Sequence, residues 1–519
     1  MLAKRPIHPV FFALYPVLAL YSLNTALIPI GDVVLPLLAT LAVTCALWGV
    51  LTLAFKNAAR GARGASVSVI LVFLDGHVWE FVQRNPNIHD YFFNKDSMLW
   101  AWFAVWLVAM IAACWKWKKS DQMTRGMNVG GLALVAIPIL SICASWFTAW
   151  RGTTVREMTE GSVKLDTSNR PDIFYVILDG YGRSDALKRV IGFSNDWFIK
   201  GLEDRGFFVA KEGHSNYCQT ELSLSSSLNM NYLPEILPNL DPSWEDRKIL
   251  DRLIDKNGVA SYLRRIGYRY EAMTTGFPSV HPASADLWQN DAKGISLFAG
   301  VVLGETPLPA SSGLAYMSQF VSRRLMIQAA LENIGAAAVG GTQPRFVFAH
   351  ILAPHPPFVF GPNGEPIRPA RMGYTYVDGN HFFQNGGTPE EYKKGYAGQA
   401  TYLSNKVLAL VDQILKSSPR PPIIIFQGDH GSKLRLDQED ADKTDVNECF
   451  PNLNAYLVPA QVRAKLYDSI TPVNSFRMIF DGLFGDKMPQ LPDKSYYSGW
   501  SSPFRFVDIT KRLKPASLN

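Results

Sequence analysis

Residues 422–431 read PIIIFQGDHG: an apolar run, then a glycine, an acid, a histidine and a second glycine. An unbroken apolar run of this length suits a strand buried on both faces, as in a parallel sheet. An acid and a histidine just past its carboxyl end stand where open α/β sheets place their ligand sites. Asp429 and His430 can both reach one ion if the chain turns at Gly428 and Gly431. The plainer alternative is a loop aspartate capping a turn beside a surface histidine.

Two other stretches repeat the pattern. Asp172 to Leu178 (DIFYVIL) runs into Asp179 and Gly180, and Arg345 to Ala349 (RFVFA) runs into His350 and then His355. From Pro171 onward, short buried strands alternate with amphipathic helices. The expectation is an α/β domain with a central sheet over residues 171–519. The triplet Leu-Asp-Gly says little alone, since it recurs at Leu74 to Gly76 inside an apolar span. A hydroxyl candidate lies in Ser215 to Leu233, SNYCQTELSLSSSLNMNYL. The pattern from Glu221 to Leu228 predicts a helix with Thr220 at or near its N-terminus, where free N–H groups and the dipole favour an anion. A threonine hydroxyl needs activation to act as a nucleophile, and a coordinated metal supplies it. An ordinary threonine N-cap fits the sequence equally well, and the serines at 223 and 225–227 are competing hydroxyls.

The first 150 residues are far more apolar. Five stretches approach the length of a bilayer crossing: Pro9 to Ile28, Val33 to Phe55, Ala65 to Val82, Met98 to Cys114 and Val129 to Trp150. The first has no small-residue cleavage site and reads as a retained anchor. Lys4 and Arg5, then Lys56, Arg60 and Arg63, then Lys116, Lys118, Lys119 and Arg125 fall on one side of a five-span arrangement. This places the N-terminus in the cytoplasm and everything after Trp150 outside. The expected organisation is a transmembrane domain over 1–150, a juxtamembrane linker over 151–170 and an extracytoplasmic catalytic domain over 171–519. Asp75, His77 and Glu80 close the third span; they line a cavity at membrane depth or sit at the outer interface beside Trp79.

Hydrophobic residues make up 48% of the chain, charged residues 18%, and the formal net charge is +6. No basic run is interleaved with aromatics, so a nucleic-acid partner is not expected. Of five cysteines, Cys45, Cys114 and Cys143 lie in apolar spans, while Cys218 and Cys449 lie in the polar half, where an extracytoplasmic pair could bond.

Together these residues resemble the alkaline phosphatase superfamily, in its sulfatase-like branch of membrane transferases, with lipoteichoic acid synthases and lipid A phosphoethanolamine transferases as examples. The resemblance implies five N-terminal spans followed by an α/β sulfatase-like domain outside the membrane. It implies one zinc or manganese ion held by Asp179, Thr220, Asp429 and His430, with Thr220 the covalently modified nucleophile. It further implies substrate contacts from His355 and His350, in HILAPHPP. The cysteine- or serine-based motif of true sulfatases is missing around Thr220, and Ser432 stands where some transferases continue with glutamate. A second metal in this superfamily usually draws on a late histidine; His430 is the last here, which favours a single ion.

Three functions follow. The first is a membrane transferase moving a phosphoethanolamine- or phosphoglycerol-type headgroup from a phospholipid donor to a glycan or lipid acceptor of the cell envelope, in the inner membrane with a periplasmic catalytic domain. The second is a phosphodiester or sulfatase-like hydrolase on the same scaffold. The third is a non-catalytic envelope-binding protein.

Overall fold

The computed structural model describes residues 5–25, 28, 30–84, 95–115, 117, 120–151, 170–277, 279–289, 297–307, 314–339, 341, 343–367 and 376–516. Most of the expected linker (152–169) and the basic residues Lys116, Lys118 and Lys119 lie outside them. The chain divides into two compact units. One comprises Met1–Arg151 with Gly294–Gln319; the other comprises Gly152–Lys293 with Phe320–Asn519.

In the first unit, the five apolar stretches fall in helices His8–Leu23, Ile30–Phe55, Ala58–Arg84, Lys95–Ala113 and Ser120–Arg151. Among the described residues, two helices are long and apolar enough to cross a membrane, Ile30–Phe55 and Ser120–Ser145. His8–Leu23 and Leu99–Ala113 are apolar but shorter. The five expected spans are therefore met as helices and, by length and composition, as two crossings. Large apolar side chains such as Leu35, Val43 and Leu53 are exposed on Ile30–Phe55, as on a helix facing an apolar medium.

One departure from the expected boundaries is instructive. Residues 171–519 do not form one unit, because Gly294–Gln319 belongs with the N-terminal helices. Its short helix Leu297–Gly304 buries Phe298 and Val302 against Val17, Tyr21, Val33 and Ile142. The Gly76 N–H donates to the Glu305 carbonyl at 3.3 Å, and His77 Nδ1 lies 3.7 Å from Glu305 Oε2. A side chain at Gly76 would strike the Glu305 backbone. Asp75 is buried rather than at an open interface. A chain of residues 171–519 alone therefore carries an apolar helix without its partners. It is expected to elute as aggregates in size-exclusion chromatography without detergent, and to become monodisperse once Phe298 and Val302 are both serine. A monodisperse unsubstituted fragment would contradict this packing.

The second unit is built on a seven-stranded sheet of order β2-β7-β6-β1-β5-β3-β4. The strands are β1 Ile173–Leu178, β2 Phe208–Val209, β3 Arg269–Thr274, β4 Leu287–Gln289, β5 Arg345–Ile351, β6 Ile423–Gln427 and β7 Asn454–Leu457. Strands β6, β1, β5, β3 and β4 run parallel, while β7 and β2 pair antiparallel at one edge. The three strands read from sequence are thus the adjacent centre of the sheet, buried along their apolar runs. Alternate residues Ile173, Tyr175 and Ile177 join Phe346, Phe348, Ile423 and Ile425 in a core with Leu224, Leu228, Leu263, Phe476 and Phe480. The helix bearing Thr220, Thr220–Ser227, is thereby packed onto one face of the sheet. Register does the remaining work. Ile177 pairs with His350 on one side and Gln427 on the other, so Asp179 and Asp429, each two residues further on, leave the sheet level with one another.

Candidate metal and nucleophile site

β1 ends in a turn at Gly180, whose φ of 74° lies in the left-handed region that glycine adopts without strain. The turn is tied on both sides. The Gly180 N–H donates to Asp429 Oδ1 at 3.0 Å, and the Tyr396 hydroxyl donates to the Gly180 carbonyl at 2.8 Å. After β6, the Ser223 hydroxyl donates to the Asp429 carbonyl at 2.7 Å, joining the Thr220 helix to the Asp-His pair. Gly428 and Gly431 allow this crossing. A Cβ at Gly428 would overlap the Tyr181 carbonyl oxygen, and one at Gly431 the carbonyls of Glu448 and Pro451. Gly431→Ala is expected to cost about 2 kcal/mol or more, by analogy with other steric intrusions into packed interiors, with a loss of bound metal. Wild-type stability and metal content in that variant would contradict the close approach.

Four side-chain atoms converge at these loop ends. His430 Nε2 lies 3.4 Å from Thr220 Oγ1, 3.4 Å from Asp179 Oδ1 and 3.3 Å from Asp429 Oδ2. His430 Nδ1 is 2.8 Å from the Gly431 carbonyl. It therefore carries the proton and leaves Nε2 with its lone pair toward the cluster. Asp179 Oδ1 and Asp429 Oδ2 are buried and have no hydrogen-bond partner among the described residues. Two unpartnered carboxylate oxygens facing one lone pair is an arrangement of mutual repulsion. A divalent cation reverses it, and the three distances from His430 Nε2 fit one. Bonds of about 2.0–2.1 Å to four tetrahedral ligands set those ligands about 3.3–3.4 Å apart.

The other oxygen of Asp179, Oδ2, lies 3.1 Å from His350 Nε2. His350 is thus placed behind Asp179, as an orienting partner of a ligand carboxylate often is. Asp179, His350 and Asp429 also offer one ligand atom each within 4.8 Å of one another, an alternative set sharing both carboxylates. The set with His430 is preferred, because His430 Nε2 faces the orphaned oxygens Asp179 Oδ1 and Asp429 Oδ2, whereas His350 Nε2 meets the other oxygen of Asp179 and its Nδ1 has no partner among the described residues. Burial, and then the charge of Asp429, push the Asp179 carboxyl well above its usual range. Burial pushes His350 down to about 4, and His430 well below the ordinary histidine value. Both imidazoles are therefore neutral at pH 7, the form a metal needs.

The helix cap separates the two readings of Thr220. The N-cap position belongs to Gln219, and no side chain caps the helix. Thr220 is the first helical residue, and its hydroxyl points to His430 instead. Gln219 and Glu221 on either side are held by Arg247: Nη2 donates to Gln219 Oε1 at 2.7 Å, and Nη1 lies 3.5 Å from Glu221 Oε2.

Across the cluster, the His355 ring centroid is 6.2 Å from that of His430. His355 Nδ1 donates to the Pro356 carbonyl at 2.6 Å, leaving Nε2 3.4 Å from Asp378 Oδ2. Asp378, Lys433 and Arg247 were not singled out from the sequence. Only Lys433 carried a signal, standing three residues beyond His430. Cys218 and Cys449 are both free thiols, buried in one apolar cluster.

No protein-family model and no curated protein matches the sequence. Solved structures do. The integral membrane lipooligosaccharide phosphoethanolamine transferase A (EptA) from Neisseria meningitidis is 11% identical, with a TM-score of 0.40, over 93% of this chain and 96% of that one. The C-terminal periplasmic domain of EcEptC from Escherichia coli, in complex with Zn, is 11% identical with a TM-score of 0.43, over 69% of this chain and 97% of that one. A 2-O GAG sulfatase is 13% identical with a TM-score of 0.41, over 64% and 79%. Phosphoethanolamine transferases and sulfatases, the groups the motifs resemble, are thus among the structural neighbours.

Proposed function

We propose that the chain is a membrane-held, divalent-metal-dependent transferase that moves a phosphoethanolamine- or phosphoglycerol-type headgroup from a phospholipid to an envelope glycan or lipid through a covalent Thr220 intermediate. The observation that carries this reading is the convergence of Asp179 Oδ1, Thr220 Oγ1 and Asp429 Oδ2 on His430 Nε2, with both carboxylate oxygens otherwise unpartnered. These four residues would hold one ion, zinc or manganese by the chemistry of the donor set. The chemistry such an ion supplies is Lewis-acid polarisation of the ester and a lowered pKa for a bound hydroxyl.

The chain's own groups account for the rest. Thr220 Oγ loses its proton and attacks phosphorus in line; the P–O bond to the lipid breaks, and the leaving oxygen takes up a proton to depart as an alcohol. The N–H groups at the start of the Thr220–Ser227 helix face the oxygens on which charge gathers. His355 contacts the substrate from the opposite side. Burial holds it neutral at pH 7, so Nε2 can take a proton from the acceptor hydroxyl as that hydroxyl attacks the phospho-threonine. His350 keeps Asp179 oriented. In this reading the catalytic unit lies on the outer side of the inner membrane, where donor lipid and acceptor meet.

Hydrolysis is the same chemistry with water as the second nucleophile. Headgroup transfer to lipid or glycan acceptors, followed by mass spectrometry after incubation with labelled phospholipid, tests the proposal. Labelled acceptor is expected in the presence of metal and absent after chelation. Release of free headgroup with no labelled acceptor would assign the chain to the hydrolases.

A further inference from the structure

We infer that Lys433 is the anion-binding side chain of this site, holding the non-bridging oxygens of the phosphate or sulfate ester that Thr220 attacks. The inference rests on the reading of the site proposed above and adds to it the substrate class: esters with a charged oxyanion, neutral esters being excluded.

Lys433 is 5% exposed. Lysine is almost never buried to this degree without a partner. Yet its ammonium is neither hydrogen-bonded nor ion-paired to any described residue, and it is not fully shut off from solvent.

Its backbone is held from three directions. The Lys433 N–H donates to the Tyr392 hydroxyl at 3.1 Å. On either side of it, the Ser432 hydroxyl and the Leu434 N–H donate to Glu448 Oε1 at 2.8 and 2.7 Å. The Arg435 N–H donates to Glu448 Oε2 at 3.0 Å. Glu448 is itself fully buried. A buried carboxyl group thus cradles the loop that carries Lys433, and the Tyr392 hydroxyl anchors its backbone. The backbone contacts hold Lys433 in the loop that carries the Asp-His pair, three residues beyond His430. Its charge acts on Asp378 and His355 across the cluster, in keeping with that placement.

A lysine serving only as a counter-charge would be ion-paired to Asp378 or Asp179, and no such pair is present among the described residues. With Asp179 and Asp429 neutralised by a divalent ion, Lys433 is left as an unpaired positive charge open to a ligand, which suits a phosphoryl or sulfuryl oxyanion.

The test is calorimetric titration of inorganic phosphate into zinc-loaded full-length protein in detergent, comparing wild type with Lys433→Met, Lys433→Arg and Thr220→Ala. Lys433→Met preserves side-chain volume and is expected to weaken phosphate binding about 10- to 100-fold, the range for a charged hydrogen bond. Zinc content and melting temperature should stay unchanged. Lys433→Arg is expected to recover most of the affinity, and Thr220→Ala to keep it. Wild-type affinity in Lys433→Met, or no phosphate binding by the zinc-loaded wild type, overturns the assignment of Lys433. Neither outcome touches the Thr220 reading, which fails separately if Thr220→Ala retains headgroup transfer.

Discussion

Thr220→Ala is expected to lower headgroup transfer by about three orders of magnitude or more, the usual consequence of removing a covalent nucleophile. The expectation comes from position rather than from residue type alone. Thr220 opens the helix without capping it, its hydroxyl faces His430 at 3.4 Å, and it sits beside two carboxylate oxygens that lack partners. The variant should remain folded, because the methyl of alanine fills part of the same space and, among the described residues, the hydroxyl meets only His430. It should also bind metal, since Asp179, Asp429 and His430 remain. Thr220→Ser retains the hydroxyl and is expected to recover activity to within about a hundredfold of wild type. Transfer assays with parallel zinc quantification separate the outcomes. An alanine variant that turns over normally would remove Thr220 from the mechanism, whatever the metal does.

Asp429→Asn is expected to abolish activity and yet stabilise the metal-free protein, by about 1–3 kcal/mol. In the wild type, Asp429 Oδ1 accepts the Gly180 N–H, while Oδ2 lies 3.3 Å from His430 Nε2 and has no hydrogen-bond partner among the described residues. An asparagine keeps the first bond and places an N–H₂ donor in the second position, so a repulsion becomes a hydrogen bond. The pH dependence has a definite sign. Burial, and then Asp429, raise the Asp179 carboxyl well above 3.8. The folded chain therefore keeps a proton that the unfolded chain loses. Stability from this group is complete below that value and is lost as pH rises through the raised one. Removing the Asp429 charge reduces the loss, so the advantage of Asp429→Asn should widen as pH increases. Adding zinc should reverse the order, because binding stabilises only the form that can hold the ion. Melting curves with and without chelator, at several pH values, measure all three. A metal-free variant less stable than metal-free wild type would contradict the carboxylate repulsion.

What the sequence disclosed and what it withheld have physical reasons. β1, β5 and β6 were legible because strands buried on both faces are continuous apolar runs. Their chemistry was legible because it begins where each run ends, at Asp179, at His350 and His355, and at Asp429. The adjacency of the three strands was not written in any one of them; it follows from the order of the sheet. His350 shows the limit. The family resemblance implied a substrate contact from His350, and nothing in its sequence neighbourhood signalled the 3.1 Å contact of its Nε2 with Asp179 Oδ2 that the strand register brings about. Asp378 lies in an irregular loop with no pattern to mark it, and the isolation of Lys433 exists only once the loop around Glu448 has closed. The departure at Gly294–Gln319 has a similar origin. Leu297–Gly304 is too short for a crossing and reads like any buried helix. Only packing with Tyr21 and Val33 assigns it to the first unit.

The covalent intermediate is the centre of the account, and intact-mass spectrometry reads it directly. Full-length protein in detergent, loaded with zinc or manganese, would be incubated with phospholipid in the absence of acceptor and quenched in acid. The account predicts a wild-type species heavier by one phospho-headgroup, mapped to Thr220 and missing from Thr220→Ala. A wild-type protein that consumes donor while its mass stays unchanged, or an adduct that persists in Thr220→Ala, would contradict it.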